Sequence, residues 1–366
     1  MKPLKYLFIS SMLFVATSCG NSWLDLEPST SVDTETSIKI LSDVEFTLNG
    51  IYSTMQSSDA YSGRLVYYGD VTGDDMQAVS STKRVANYYR FNFTKDDNPS
   101  SHWSYLYSII QNCNLILMNI DKLVIDEDDK AYRDDLKGEA LAIRGLALFD
   151  LTRIFGYPYL KDKGASLGVP IIEGLSTIDS KPTRNTVAQC YTKIIDDLTQ
   201  SLSLLGEKFN KGKINKWGAM VLLSRVYLYK GENANALKMA SDAITGAEKN
   251  KYALWTHEDY PTAWGEDASA SKPGEVLFEI VNLTTDSPGK ESMGYLNSYD
   301  GYDDMCITCS FYQFLKEDPK DIRLKLLSFD KKYYAYVNKY QPQREENIED
   351  ANIPLIRLSG AYLNAA

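Results

Sequence analysis

Apolar residues recur along this chain at helical spacings, in blocks separated by polar stretches rich in aromatic rings. Ile38, Leu41, Leu48, Ile51, Tyr52 and Met55 fall at intervals that place them on one face of a helix. Trp103, Leu106, Tyr107, Ile110, Cys113, Leu117 and Ile120 repeat the pattern. Asn114 lies within that stripe, where its amide would satisfy polar groups between packed helices. Leu136, Ala140, Ile143, Ala147, Leu151 and Ile154 predict a longer helix that Gly156 and Pro158 end. Val187, Tyr191, Ile194, Leu198, Leu202 and Leu205 predict the next, with Thr186 as N-cap.

The clearest repeat signal lies at 217–247. Leu223, Ser224 and Tyr227, followed by Ala236, Ala240 and Ala243, match the large, small, aromatic and then small-residue spacing of a tetratricopeptide hairpin. Gly231 marks the turn, and the alanines let the second helix approach the first closely. The match is partial, because Met220 stands where that repeat often has Trp and Ala240 where Phe is common. The helices at 136–155 and 187–205 predict a second hairpin, split by a long insertion. Between these blocks, 58–101 and 252–312 read as long loops holding many Tyr and Trp residues among Gly, Asp, Asn, Pro and Ser. A short strand is expected at Glu275 to Val281. Leu355, Leu358, Tyr362 and Ala365 are helix-spaced, and the sequence stops at Ala366 within that pattern, which predicts a chain cut short inside a helix. The fold class is therefore mostly α, a tetratricopeptide-like scaffold with long irregular aromatic-rich loops and a few short strands.

The first residues change the picture. Lys2 and Lys5 precede a short apolar run, Leu7 to Val15, interrupted by serines and followed by Ala16-Thr17-Ser18 and Cys19. The run is too short to span a bilayer and reads as a cleaved signal over 1–18, with Cys19 as a lipidated N-terminus and 19–36 as a polar tether. The formal net charge is −10, and loss of the leader removes two lysines and no acid. Such a balance argues against nucleic acid as a partner. With 26 Tyr against 12 Phe and 5 Trp, rings with a wet hydroxyl are abundant, serving either ligand contact or helix packing.

The other candidate chemistries are thin. Cys113 and Cys190 fall on apolar faces and read as small buried hydrophobes. Cys306 and Cys309 form a lone C-x-x-C with no second ligand pair, and the only histidines are His102 and His257. No Gly-rich phosphate loop, G-x-S-x-G or H-E-x-x-H motif occurs. Asp300 to Asp304 lacks EF-hand spacing and reads as a solvated acidic loop. No metal, no cofactor and no enzymatic activity are expected.

A series of short fragments, in order along the chain, forms a recognisable set. Cys19 followed by Trp23 to Pro28, Tyr68-Gly69-Asp70 with Asp74-Asp75-Met76, and Trp103 through Asn114 come first. Arg144 through Gly156 and Pro158, Gly168-Val169-Pro170 and Thr183-Arg184 follow. Tyr191 to Leu198, Ala219 to Tyr229, Asp318-Pro319 with Arg323, and Ile356 to Leu363 complete the series. The set resembles the SusD/RagB family of nutrient-uptake lipoproteins of Bacteroidetes; Gly360 departs from the helix former that family has there, and the family continues well past this last helix. The resemblance implies a helical tetratricopeptide-like region over 37–250 and the start of a C-terminal ligand-binding region over 251–366. It also implies an outer-membrane binding lipoprotein that captures oligosaccharides for a SusC-like TonB-dependent transporter. The alternatives are a peptide ligand, or a helical adaptor with no small ligand. Sugars stack on aromatic rings and pair their hydroxyls with carboxylates. Trp264, Tyr295, Tyr299, Asp300, Tyr302 and Asp303 are therefore the first candidates for ligand contact, and Tyr67 and Tyr68 a second group.

Overall fold

The computed structural model describes residues 37–94, 99–177, 179–265, 273–331, 334–342 and 347–366. The leader, Cys19 and the tether lie outside the described residues. In chain order the elements are α1 (Leu41–Gln56), α2 (Arg64–Val71), β1 (Met76–Ala78), α3 (Ala86–Tyr89), α4 (Pro99–Asn119) and α5 (Lys130–Phe155). Then come α6 (Val187–Leu204), α7 (Lys216–Lys230), α8 (Asn233–Lys249), β2 (Val276–Ile280), α9 (Met293–Leu296), β3 (Met305–Ile307) and α10 (Cys309–Lys316). β4 (Leu327–Phe329), β5 (Ala335–Val337), β6 (Ile353–Arg357) and α11 (Leu358–Ala365) close the order. The fold is mostly helical with a few short strands, as expected.

Each long helix starts and stops for a local reason. The hydroxyl of Thr186 accepts from Gln189 N at 3.2 Å while Gln189 Oε1 accepts from Thr186 N at 2.9 Å, a reciprocal cap at the start of α6. Asn215 caps α7 by accepting from Gly218 N at 3.0 Å. The far end of α7 turns at Gly231, whose φ of 80° is left-handed, and Glu232 N returns to Tyr227 O at 2.9 Å. Small residues then set the helix separations. A Cβ on Gly246 of α8 would stand 2.1 Å from the Trp217 ring of α7. Ala236, Ala240, Ala243 and Ala247 are buried along the same helix. Between α5 and α6, Cβ atoms on Gly138 and Gly145 would meet Leu205 at 2.9 Å and Leu198 at 3.0 Å.

One buried polar network ties this scaffold together. Arg144 on α5 binds Asp197 on α6 through both carboxylate oxygens, at 2.8 and 2.7 Å, and donates to Asn114 Oδ1 on α4 at 2.8 Å. Asn114 in turn donates to the carbonyls of Ile172 and Gly174 at 2.8 and 3.0 Å. Asn114 thus does what its place in the apolar stripe suggested, and it also fixes the insertion between α5 and α6.

The strands bring distant loops together in antiparallel pairs. β1 pairs with β3, Met76 opposite Ile307, which seats 72–91 against the loop before β3. The fully buried β2 pairs with β6, Val276 opposite Arg357, and β4 forms a hairpin with β5. Leu355 therefore lies in a strand and not in the terminal helix, which begins at Leu358. Its helix-like spacing is incidental, because the backbone of 353–357 is taken up by pairing with β2. Tyr67 and Tyr68 likewise lie on a helix, α2, where a loop was expected.

Candidate binding face

The stretch from α9 to β3 holds three of the six aromatic candidates, Tyr295, Tyr299 and Tyr302, and is braced from several sides. Tyr295 and Tyr302 meet edge to face, with ring centroids 5.0 Å apart. The turn between them requires Gly301, because a Cβ there would stand 2.0 Å from Tyr295 O. The Arg84 guanidinium lies over the Tyr302 ring at 3.8 Å, a cation–π contact, and also pairs with Asp304 at 3.2 Å and Glu291 at 3.4 Å. Lys83 donates to Tyr302 O at 2.5 Å and pairs with Asp303 at 3.5 Å. Tyr336 of β5 donates to Asp303 and sets its ring 5.8 Å from Tyr299. Burial, with the Asp303 carboxylate adding to it, pushes the Tyr336 hydroxyl up, so the group stays a donor.

Exposure divides these residues. Tyr299 is 45% exposed, and Asp300 beside it is exposed. Tyr295, Tyr302 and Asp303 are half-buried behind them. Asp304 is buried, so the run from Asp300 to Asp304 is not simply a solvated acidic loop. Burial pushes the Asp304 carboxyl up and Arg84 pulls against that shift. Among the described residues no group of His, Cys, Asp and Glu is arranged to hold a metal ion.

Trp264 belongs to a second aromatic group. It is only 7% exposed and packs edge to face against Trp255 at 5.0 Å and Tyr260 at 5.6 Å. Arg357 lies over its ring at 4.6 Å and Lys339 at 5.3 Å. Burial, with the charge of Arg357 next, pulls the Lys339 ammonium down. The indole N–H groups of Trp255 and Trp264 have no hydrogen-bond partner among the described residues. The stretch from β5 through Gln341 spans the two aromatic groups. Tyr336 touches Tyr299, Lys339 faces Trp264, and Gln341 donates to Pro261 O at 2.6 Å.

Tyr67 and Tyr68 form a third cluster. Tyr67 is fully buried against Tyr88, with centroids 5.8 Å apart, and presents no surface to a ligand. Its position on the inner face of α2 takes it out of the candidate surface. Tyr68 is half-buried and packs on Tyr88 at 5.5 Å and His102 at 5.9 Å. The structure therefore gathers Tyr295, Tyr299, Asp300, Tyr302 and Asp303, and sets Trp264 and the Tyr67–Tyr68 pair apart. Sequence reasoning missed Lys83, Arg84, Tyr336, Lys339 and Arg357. Nothing in their local sequence marks them, since their partners lie far along the chain.

A family model described as starch-binding and associating with the outer membrane, SusD-like, matches residues 22–228. A crystal structure of a candidate sugar-binding protein from Bacteroides vulgatus ATCC 8482 superposes with a TM-score of 0.88 at 82% identity, covering 90% of this chain and 74% of that one. A SusD superfamily protein from the same organism superposes with a TM-score of 0.84 at 36% identity, covering 89% of this chain and 74% of that one. SusD-like protein P2 of Formosa agariphila is 28% identical over 313 residues, 82% of this chain and 57% of its own length. The chain spans about half the length of the curated relatives it matches, from 39% to 57%.

Proposed function

The chain belongs to the SusD-like family, described as starch-binding and associating with the outer membrane, and from that premise we propose that it captures oligosaccharides at the cell surface. In this reading it binds without catalysis and passes its ligand to a SusC-like TonB-dependent transporter. Cys19 carries the lipid that holds it to the outer membrane, and residues 19–36 form the tether. No described helix is long and apolar enough to cross a membrane, which is compatible with a lipid anchor. The helical part over 37–250 serves as frame, and 251–366 contributes the ligand-facing loops.

The observation that carries this reading is the exposed ring of Tyr299 with Asp300 beside it, on a loop braced by Arg84, Lys83 and Tyr336. A sugar ring stacks its CH face on an aromatic face, and a neighbouring carboxylate accepts from its hydroxyls. The cations behind the loop fix it before ligand arrives, so little ordering entropy is lost on binding. Tyr295 and Tyr302 lie behind this edge, and Trp264 would join the site only if its buried ring came into reach.

The test is a panel of immobilised polysaccharides and peptides screened with the purified chain lacking residues 1–19. Retention on one polysaccharide class supports glycan capture and identifies the substrate. Retention on peptides alone moves the assignment to a peptide ligand. Binding to the transporter with retention on neither panel indicates a helical adaptor.

A further inference from the structure

A cavity of about 360 Å³ opens between α2, α5, α7 and β6, away from the aromatic loop. Leu65, Val66, Leu146, Ile154 and Leu355 give it aliphatic walls. Its charged groups are unbalanced. Asp150 accepts from the Tyr61 hydroxyl at 2.7 Å and pairs with Arg153, which spreads over the rings of Phe149 and Tyr229 at 4.7 and 5.4 Å. That carboxylate is therefore already engaged. Arg225, which also lines the cavity, makes no hydrogen bond and no ion pair among the described residues. Its Nη2 stands 4.0 Å from where a Cβ on Gly360 would be, beside the first turn of α11. The positive end of that helix adds to the two guanidiniums. Arg225 is half-buried; burial, with the charge of Arg153 next, pulls its pKa down, and Asp150 pulls against that shift.

A guanidinium held this way lacks an anion, and its planar fork suits a carboxylate. Tyr61, Tyr68 and Tyr229 also line it, and the aliphatic walls favour a ligand with an apolar body. We infer that this cavity is a second binding site, which takes a carboxylate carried on an apolar body and grips it through Arg225. The volume is near the lower end of the range for small-ligand pockets, roughly 300–1,000 Å³. The carboxylate can come from a free organic acid or from an acidic side chain flanked by apolar residues in a polypeptide. Both sources offer the same chemistry to Arg225.

Calorimetric titration with 3-phenylpropionate, its neutral amide, and an acetylated Leu-Glu-Leu peptide amide with its Leu-Gln-Leu counterpart tests the site. Wild-type protein should bind an acid probe and discriminate against the matching amide. Arg225→Met should weaken that binding by about tenfold or more. Its melting temperature without ligand should hold or rise, because an unpaired, half-buried charge has been replaced by an apolar side chain. Binding of the free acid indicates a small-molecule source, and binding of the peptide alone a polypeptide source. Tyr299→Ala should leave acid binding unchanged, which separates this site from the glycan face. The inference is overturned if acid and amide bind alike or neither acid probe binds the folded protein. It is equally overturned if Arg225→Met leaves affinity intact, or lowers the melting temperature of the ligand-free protein as removal of a structural partner would.

Discussion

The buried Arg144–Asp197 pair gives the sharpest stability prediction. Replacing Arg144 with Met keeps the aliphatic stem and removes three charge-assisted hydrogen bonds, two to Asp197 and one to Asn114. Asp197 is then left buried with Lys193 at 3.2 Å as its remaining ion-pair partner, and Lys193 also serves Glu173 at 2.8 Å. Removing one member of a buried pair typically costs about 3–5 kcal/mol. The surviving lysine places Arg144→Met near the lower end, at about 3 kcal/mol. Asp197→Leu leaves the guanidinium with only the Asn114 carbonyl and should cost about 4 kcal/mol. The double variant leaves no stranded charge, only Asn114 short of a donor, so its loss should be about 1–3 kcal/mol. Urea unfolding with a constant slope measures all three. A double-variant loss equal to the sum of the singles, or single losses below about 1 kcal/mol, would refute the view that stranded charge sets these costs.

Other expectations follow from the same scaffold. Burial pushes Glu139 from 4.5 up to about 7, with the Tyr52 hydroxyl donating to it at 2.7 Å. The folded state then holds a proton that the unfolded chain releases, so this stabilisation is full below pH 4.5 and is lost as pH rises through about 7. Its ceiling is about 3 kcal/mol, and Glu139→Gln should flatten the stability–pH curve between those limits; an unchanged curve in chemical denaturation would contradict the assignment. Gly246→Ala drives a methyl into the Trp217 ring and should cost about 1–3 kcal/mol, with a shift in tryptophan emission. Full stability with unchanged emission would mean that the α7–α8 contact is looser than described.

The frame was legible in the sequence because local periodicity sets it. The stripes beginning at Ile38, Trp103, Leu136 and Val187, and the hairpin around Gly231, all became helices packed on those faces. What escaped depends on pairing across long separations. Leu355 carries a helical spacing yet is drawn into a strand by β2, some seventy-five residues earlier in the chain, near Ile280. Tyr67 looks like a loop aromatic among Gly and Asp, but α2 turns it inward onto Tyr88. The candidate face was half legible. Tyr295, Tyr299 and Tyr302 lie within eight residues of one another, from the end of α9 into the loop that follows. The groups that brace them, Arg84 and Tyr336, arrive from distant segments through the β1–β3 and β4–β5 pairings. Arg225 sits among apolar neighbours in a helix and gives no local sign that its charge goes unmatched.

The most direct test of surface glycan capture is calorimetric titration of oligosaccharides from the retained polysaccharide class into wild-type protein and Tyr299→Ala. Removing a 45% exposed ring at the edge of the braced loop should leave the melting temperature within about 2 °C. It should weaken glycan binding by about tenfold, as loss of a stacking platform does. Undiminished affinity in Tyr299→Ala would contradict the placement of the site on this loop, and absence of binding to every glycan by the folded wild-type chain would contradict glycan capture itself.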